Sequence, residues 1–264
     1  MPQGRLKNLE GDIVFSDERA ETLAEYLEKI QWRVRPSAVL PERPPIWPIL
    51  DVELDDLQVS EVEQAVKKLK RNKSSGVDDI PPELFKALAT TPAGLELIVQ
   101  LCQICWKTKQ IPREWQLSRV AEIFKKGDPA ECSNYRPISL LCVGYKIVAS
   151  ILLERLKSAG AESRIWETQY GFKSGSGTAD ALYMTRRLLD RIWANSDSLA
   201  IFLALDWAKA FDSISLTGLV DALIRFGIPQ EFAMIVVNIY HGRQFYVKDC
   251  GQISNYHSQV FGIF

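Results

Sequence analysis

The sequence predicts an α+β fold, on three observations. Apolar residues recur at helical spacing in several long stretches, short runs of strand type stand between them, and no internal repeat or low-complexity tract is present. With 264 residues, 47% apolar and 25% charged, the chain can bury a real core in one large domain or two small ones. Its formal net charge of −1 argues against a protein that clamps nucleic acid with its whole surface, while leaving room for local basic patches. No window is apolar enough to cross a bilayer and the N-terminus lacks a secretory apolar core, so the expectation is an intracellular location, nucleus or cytoplasm, with no membrane partner. The five cysteines, Cys102, Cys105, Cys132, Cys142 and Cys250, are an odd number without framework spacing and read as free thiols. Cys102 and Cys105 form a C-x-x-C, but no second pair follows and both sit in a helical pattern, which disfavours zinc.

In chain order, residues 17–31 place Leu23, Tyr26, Leu27 and Ile30 on one face of an amphipathic helix. The segment 36–48 carries five prolines and reads as a linker or surface strap, which makes the first 50 residues an expected appendage. Ser60 and Glu63 have the spacing of a capping box ahead of the stripe Val62, Ala65, Val66 and Leu69. The basic tail that follows, 67–73, is either a solvated face or a phosphate contact. Gly76 marks a turn, Pro81 and Pro82 start a helix, and a longer helix is expected from about Pro92 to Lys109. Residues 117–124 alternate as a strand. If a second strand follows the loop 125–136, the hairpin holds Lys125 or Lys126 with Arg136 over one anion; the alternative is a solvated turn. A largely apolar core helix is expected over 139–157. A glycine and serine loop, 169–178, precedes the next helix but lacks the Walker and dinucleotide spacings. Helices are expected at 215–226 and 231–240, then two strands at 244–249 and 256–264 around a turn at Gly251.

Ile201 to Leu205 is a short apolar run without glycine or proline, read as a strand buried on both faces and ended by Asp206. A carboxylate at a buried strand end must meet a cation, a donor or a cleft, which suits a metal ligand. A helix cap or a surface carboxylate explains the same pattern. Phe211 offers a large flat ring five residues on, in the core or in a site.

Four motifs then carry a resemblance. NKSSGVDDIPPELFK at 72–86, KKGDPAECSNYRPISLL at 125–141, QYGFKSGSGTADAL at 169–182 and LDWAKAFDSI at 205–214 stand in the order and spacing of non-LTR (LINE-type) retrotransposon reverse transcriptases. The chain resembles that family over roughly residues 57–264. The resemblance implies a right-hand polymerase: residues 1–56 as an N-terminal helix and proline-rich linker, 57–195 as fingers and 196–264 as a partial palm. It implies template-directed addition of dNTPs to a DNA primer 3′-end on an RNA template, with two Mg2+ ions. Asp206 matches the first catalytic, metal-binding aspartate, and Trp207 the position whose backbone carbonyl adds a ligand. Phe211 matches the ring beneath the incoming sugar that rejects a 2′-hydroxyl. Lys125 and Arg136 match the finger cations on the triphosphate, with Lys126 an alternate lysine because Phe124 stands where the family carries proline. Gln169, Gly171 and Phe172 match a finger motif near the template strand, Lys73 lies in the first motif and is expected at the template, and Asp212 matches a structural position. The family's Q-G-x-P-L-S-P and x-x-D-D motifs do not occur in the sequence, so it is expected to be a truncated, inactive form. A non-catalytic nucleic-acid-binding remnant, a group II intron maturase and accidental similarity are the rival readings.

Overall fold

The computed structural model describes residues 5–35, 43–194 and 199–263. Two short strands, β1 (Leu6–Lys7) and β2 (Ile13–Val14), form an antiparallel ribbon before α1 (Arg19–Tyr26), which runs into a π-turn at Leu27–Gln31. Helices α2 (Val59–Lys68), α3 (Pro82–Leu88) and α4 (Pro92–Thr108) follow. Then come β3 (Leu117–Phe124), β4 (Tyr135–Leu140) and α5 (Val143–Ser158). The chain continues through α6 (Thr178–Trp193), α7 (Leu216–Phe226) and α8 (Gln230–Tyr240) to β5 (Gln244–Asp249), β6 (Gln252–Ile253) and β7 (His257–Ser258). The α+β expectation holds.

The main sheet runs β4-β3-β5-β6, with β7 also on β5; β3 pairs parallel to β5 and antiparallel to β4. It thus joins strands from both sides of the expected finger and palm division. One core packs α2, α4, α5 and α8 together, around Val62, Ile98, Trp106, Ile147, Ile151 and Phe232. A second core lies between the sheet and α1: Leu6, Leu23, Ala24, Leu27 and Trp32 close on Val120, Phe245 and Val247. The reading of the first 50 residues as an appendage is therefore corrected. Its helix covers one sheet face and is pinned there by the Arg19 to Asp249 ion pair at 2.7 Å and by His257, whose ring nitrogens meet Glu21 at 2.9 Å and Glu28 at 2.8 Å. Part of the proline-rich strap, 36–42, lies outside the described residues; 43–48 is irregular.

Helix α2 starts two residues before the spacing of Ser60 and Glu63 implied: Glu61, not Glu63, accepts the backbone N–H, that of Gln58 at 2.7 Å. Leu57 and Val62, both buried, occupy the staple positions on either side of that start and pull the first turn into the core. The core helix expected from 139 begins at Val143, because Ser139 and Leu140 pair with Val120 and Arg119. The second C-terminal strand, expected at 256–264, is reduced to β7 and a bridge between Ser215 and Phe261, and β6 forms ahead of it.

The largest correction concerns Ile201 to Leu205. The run has no strand pairing among the described residues and lies open, with Ile201 88% exposed. Local β-propensity does not make a strand unless a ladder partner receives its N–H and C=O groups, and no described strand pairs with this run. Helix α6 likewise buries none of its residues.

Candidate nucleotide cleft

The β3–β4 hairpin builds one wall of a cleft of about 890 Å³. Its loop is tied internally: Lys125 N–H donates to Asn134 O at 2.8 Å, Asn134 Nδ2 to Asp128 O at 2.9 Å, and Gly127 supplies a φ of +96°. From the N-terminal ribbon, Lys7 N–H adds a bond to Ala130 O at 2.9 Å. Residues Tyr135 to Ser139 line the cleft in succession, so it follows the free edge of β4. Ile123 stands opposite Arg136 in the ladder. Directly paired residues share a face and side chains alternate along a strand, so Lys125, two residues past Ile123, emerges on the side of Arg136 while Lys126 emerges on the other. Lys125 and Arg136 both line the cleft, and neither takes a carboxylate partner among the described residues.

The opposite wall comes from 207–212. Trp207, Lys209, Ala210, Phe211 and Asp212 line it, with Phe172 of the glycine loop. Phe172 (φ +59°) stands edge to face with Phe211, their centroids 5.7 Å apart. Phe211 is 50% exposed and Phe172 93%, so neither ring is a core aromatic. Asp212 is held on both oxygens, by Trp32 Nε1–H at 2.7 Å and Gln31 Nε2–H at 3.1 Å. That is a structural use, as its family match implied. Lys209 is shifted below the ordinary lysine value by burial, with Asp212 opposing the shift.

The structure thus brings together Lys125, Arg136, Phe172, Trp207 and Phe211. It does not bring in the rest. Asp206 and Lys126 are exposed and absent from the lining, so the lysine that stands with Arg136 in the cleft is Lys125 and the cleft does not include Asp206. Asp206 follows the unpaired 201–205 run instead of ending a buried strand. Lys73 is exposed on the loop after α2, and Gln169 and Gly171 are exposed, tied to each other by Gln169 Nε2–H to Gly171 O at 2.8 Å. Among the described residues no three His, Cys, Asp or Glu side chains gather as a metal site, and the cysteines are free. Burial pushes the Cys102 thiol up to about 12 and Cys105 to about 11, which marks them as core residues.

Among the lining residues that the sequence did not single out are Gln31, Trp32, Lys209 and Gln259. Lys209 lies inside the D-x-x-x-A-F-D motif and was within reach of a search for cations. The other three come from distant segments and carry no local signal.

The family model described as reverse transcriptase (RNA-dependent DNA polymerase) matches residues 123–262, just over half of the chain. The chain is 25% identical to a probable RNA-directed DNA polymerase from transposon BS of Drosophila melanogaster over 75% of its length, and 31% identical to the transposon TX1 uncharacterized 149 kDa protein of Xenopus laevis over 73%. It is 29% identical, over 73%, to the putative 115 kDa protein in type-1 retrotransposable element R1DM of Drosophila melanogaster. It spans 22%, 14% and 17% of these relatives. The matched region contains Lys125, Arg136, Phe211 and Asp212 of the cleft, and the chain belongs to the reverse transcriptase (RNA-dependent DNA polymerase) family, in its non-LTR retrotransposon branch.

Proposed function

We propose that the cleft along β4 receives the triphosphate and sugar of an incoming dNTP, and that the chain is the fingers (57–195) and leading palm (196–264) of an RNA-directed DNA polymerase, preceded by residues 1–56. Such an enzyme extends a DNA primer on an RNA template. The observation that carries this reading is the joint lining of one cleft by two cations without carboxylate partners, Lys125 and Arg136, and a half-exposed ring, Phe211. The guanidinium fork of Arg136 suits bidentate phosphate contact, and Lys125 adds a point charge beside it. Trp207 and Phe211 supply flat surface for the sugar and base. Lys73, Gln169, Gly171 and Phe172 are assigned to the template side, Lys126 to phosphate as the alternate lysine, and Asp206 to the catalytic position. The donors present do not fit a pair of magnesium ions, since Asp206 is exposed and no metal-holding group assembles among the described residues. What these residues do is bind and orient.

Equilibrium binding tests the reading, with dTTP and an RNA–DNA hybrid as separate ligands. Loss of one charge-assisted phosphate contact corresponds to about 1.5–3 kcal/mol, so Arg136→Ala is expected to weaken dTTP binding about 10- to 100-fold and to leave hybrid binding nearly unchanged. Weakened hybrid binding with dTTP unaffected would assign the hairpin cations to the nucleic-acid backbone and remove the proposal.

A further inference from the structure

The cleft wall that carries Phe211 is fastened from outside the region that matches the polymerase family. Helix α1 lies on the sheet through Arg19 and Asp249, and through the pair of carboxylates on His257. Two further backbone donors reinforce it, Asn255 N–H to Glu21 at 2.8 Å and Ser258 N–H to Glu28 at 2.9 Å. The helix then widens into its π-turn, which Trp32 N–H closes on Leu27 O at 2.7 Å. In a regular helix adjacent side chains point about 100° apart. Here the widened turn and its exit let Gln31 and Trp32 donate to the two oxygens of one carboxylate, Asp212. Wide turns of this kind recur at functional sites.

Trp32 is itself fixed, 4% exposed and edge-on to Phe245 with centroids 4.8 Å apart. On the other side of Asp212, Ile263 N–H donates to Phe211 O at 3.1 Å and Gly262 N–H to Ile214 O at 2.9 Å. Gly262 (φ +90°) fits closely there; a Cβ would stand 3.3 Å from both Asp212 Cα and Trp32 Cδ1. The turn 211–214 is therefore held by side chains from residues 31–32 and by backbone from residues 262–263, while the 199–206 segment that leads into it is exposed and unpaired.

We infer that Gln31 and Trp32 are positioning residues which, through Asp212, set where the Phe211 ring stands in the cleft and so set how sharply the cleft separates deoxyribonucleotides from ribonucleotides. The second half of this statement rests on the reading of Phe211 as the contact to the incoming sugar. A ring that excludes a single hydroxyl works only if it is held to within a fraction of an ångström, since a loose pocket separates the two sugars weakly.

The test uses the full 264-residue chain labelled with 4-fluorophenylalanine, the Phe211 fluorine resonance being assigned by its loss in Phe211→Val. In Gln31→Leu and in Trp32→Phe that resonance is expected to shift or broaden, with those of Phe85 and Phe232 in the other core unmoved. The preference for dCTP over CTP, which differ only in the 2′-hydroxyl, measured by equilibrium binding, is expected to fall about 3- to 10-fold, the equivalent of one net hydrogen bond. In an Asp212→Asn background Trp32→Phe should add less than it does alone, since both changes act on one link. A Phe211 resonance unmoved in both variants overturns the inference, and so does an unchanged preference where Phe211→Val alters it. If Phe211→Val leaves the preference unchanged, the sugar reading fails by itself and the resonances alone decide the positioning. If Trp32→Phe does not fold, Gln31→Leu decides both readouts.

Discussion

Two aspartates six residues apart show how placement, not residue type, sets a role. Asp206 is exposed beside an unpaired segment, whereas Asp212 accepts two side-chain hydrogen bonds and locks a turn. Phe211 lies between them, half-exposed, so the core-packing alternative for this ring does not describe the fold. Phe211→Val is expected to cost under about 1 kcal/mol in urea unfolding, against the 1–4 kcal/mol expected of a core position. A third acid, Glu122, has a different use. Both its oxygens are buried without a hydrogen-bond partner, and burial, aided by Asp249 and Asp212, pushes its pKa up to about 8. A folded pKa raised above the unfolded carboxyl value means that the folded state holds the extra proton between those values. Stability therefore falls as pH rises from about 4.5 to about 8 and levels off above, a loss on the order of 5 kcal/mol at most. Glu122→Gln should remove this slope and unfold at a higher temperature than the parent chain at pH 9; parallel Tm profiles from pH 5 to pH 9 would contradict it.

At the scale of elements, one arginine joins the α2–α5 pair to the chain before it. Arg155, 3% exposed, grips both oxygens of Glu61 at 2.7 and 2.8 Å and the backbone carbonyls of Glu53, Asp55 and Asp56. Removing it strands a carboxylate and three carbonyls, so Arg155→Met should lose about 3–5 kcal/mol at pH 7. Burial works against the charged form of Glu61, but Arg155 and the Gln58 N–H outweigh it and hold the group below the ordinary 4.5. A depressed folded pKa contributes stability above the unfolded value and loses it as pH falls through the folded one. The difference between Arg155→Met and the parent chain should therefore shrink in urea titrations at pH 3. The loop before α3 has a comparable fixed point. A Cβ on Gly76 would run into the backbone of Leu141 and Cys142, while Arg119 donates to Gly76 O at 2.8 Å. Only glycine permits that approach of two backbones, which gives a packing reason for the glycine in the first motif.

The whole molecule ties its N-terminal segment into the sheet and the cleft, and leaves α6 and 199–207 open to solvent. Two-metal nucleotide transfer needs several carboxylates around ions about 4 Å apart. Asp206 stands without such companions among the described residues. The purified 264-residue chain is therefore expected to give no primer extension with dNTPs and Mg2+; extension that Asp206→Ala abolishes would refute this. Binding of dTTP in the cleft should persist under the same conditions, because Lys125 and Arg136 are held by the hairpin and not by Asp206.

Most helices, the β3–β4 hairpin and the family were legible in the sequence because their causes are local: apolar period, proline at helix starts, glycine at turns, and motifs whose residues lie close in the chain. So was the pairing of one lysine with Arg136, with Lys125 first and Lys126 the alternate; strand register then puts Lys125 on the side of Arg136. Tertiary structure alone decided what depends on a distant partner. Ile201–Leu205 has the composition of a buried strand, and its exposure follows from the lack of a pairing strand among the described residues, which composition cannot reveal. Gln31 and Trp32 bond to Asp212 some 180 residues away, a contact that no local pattern encodes. Local propensity fixes what a segment tends to become, while burial and hydrogen-bond partners, supplied by the rest of the chain, decide what it is.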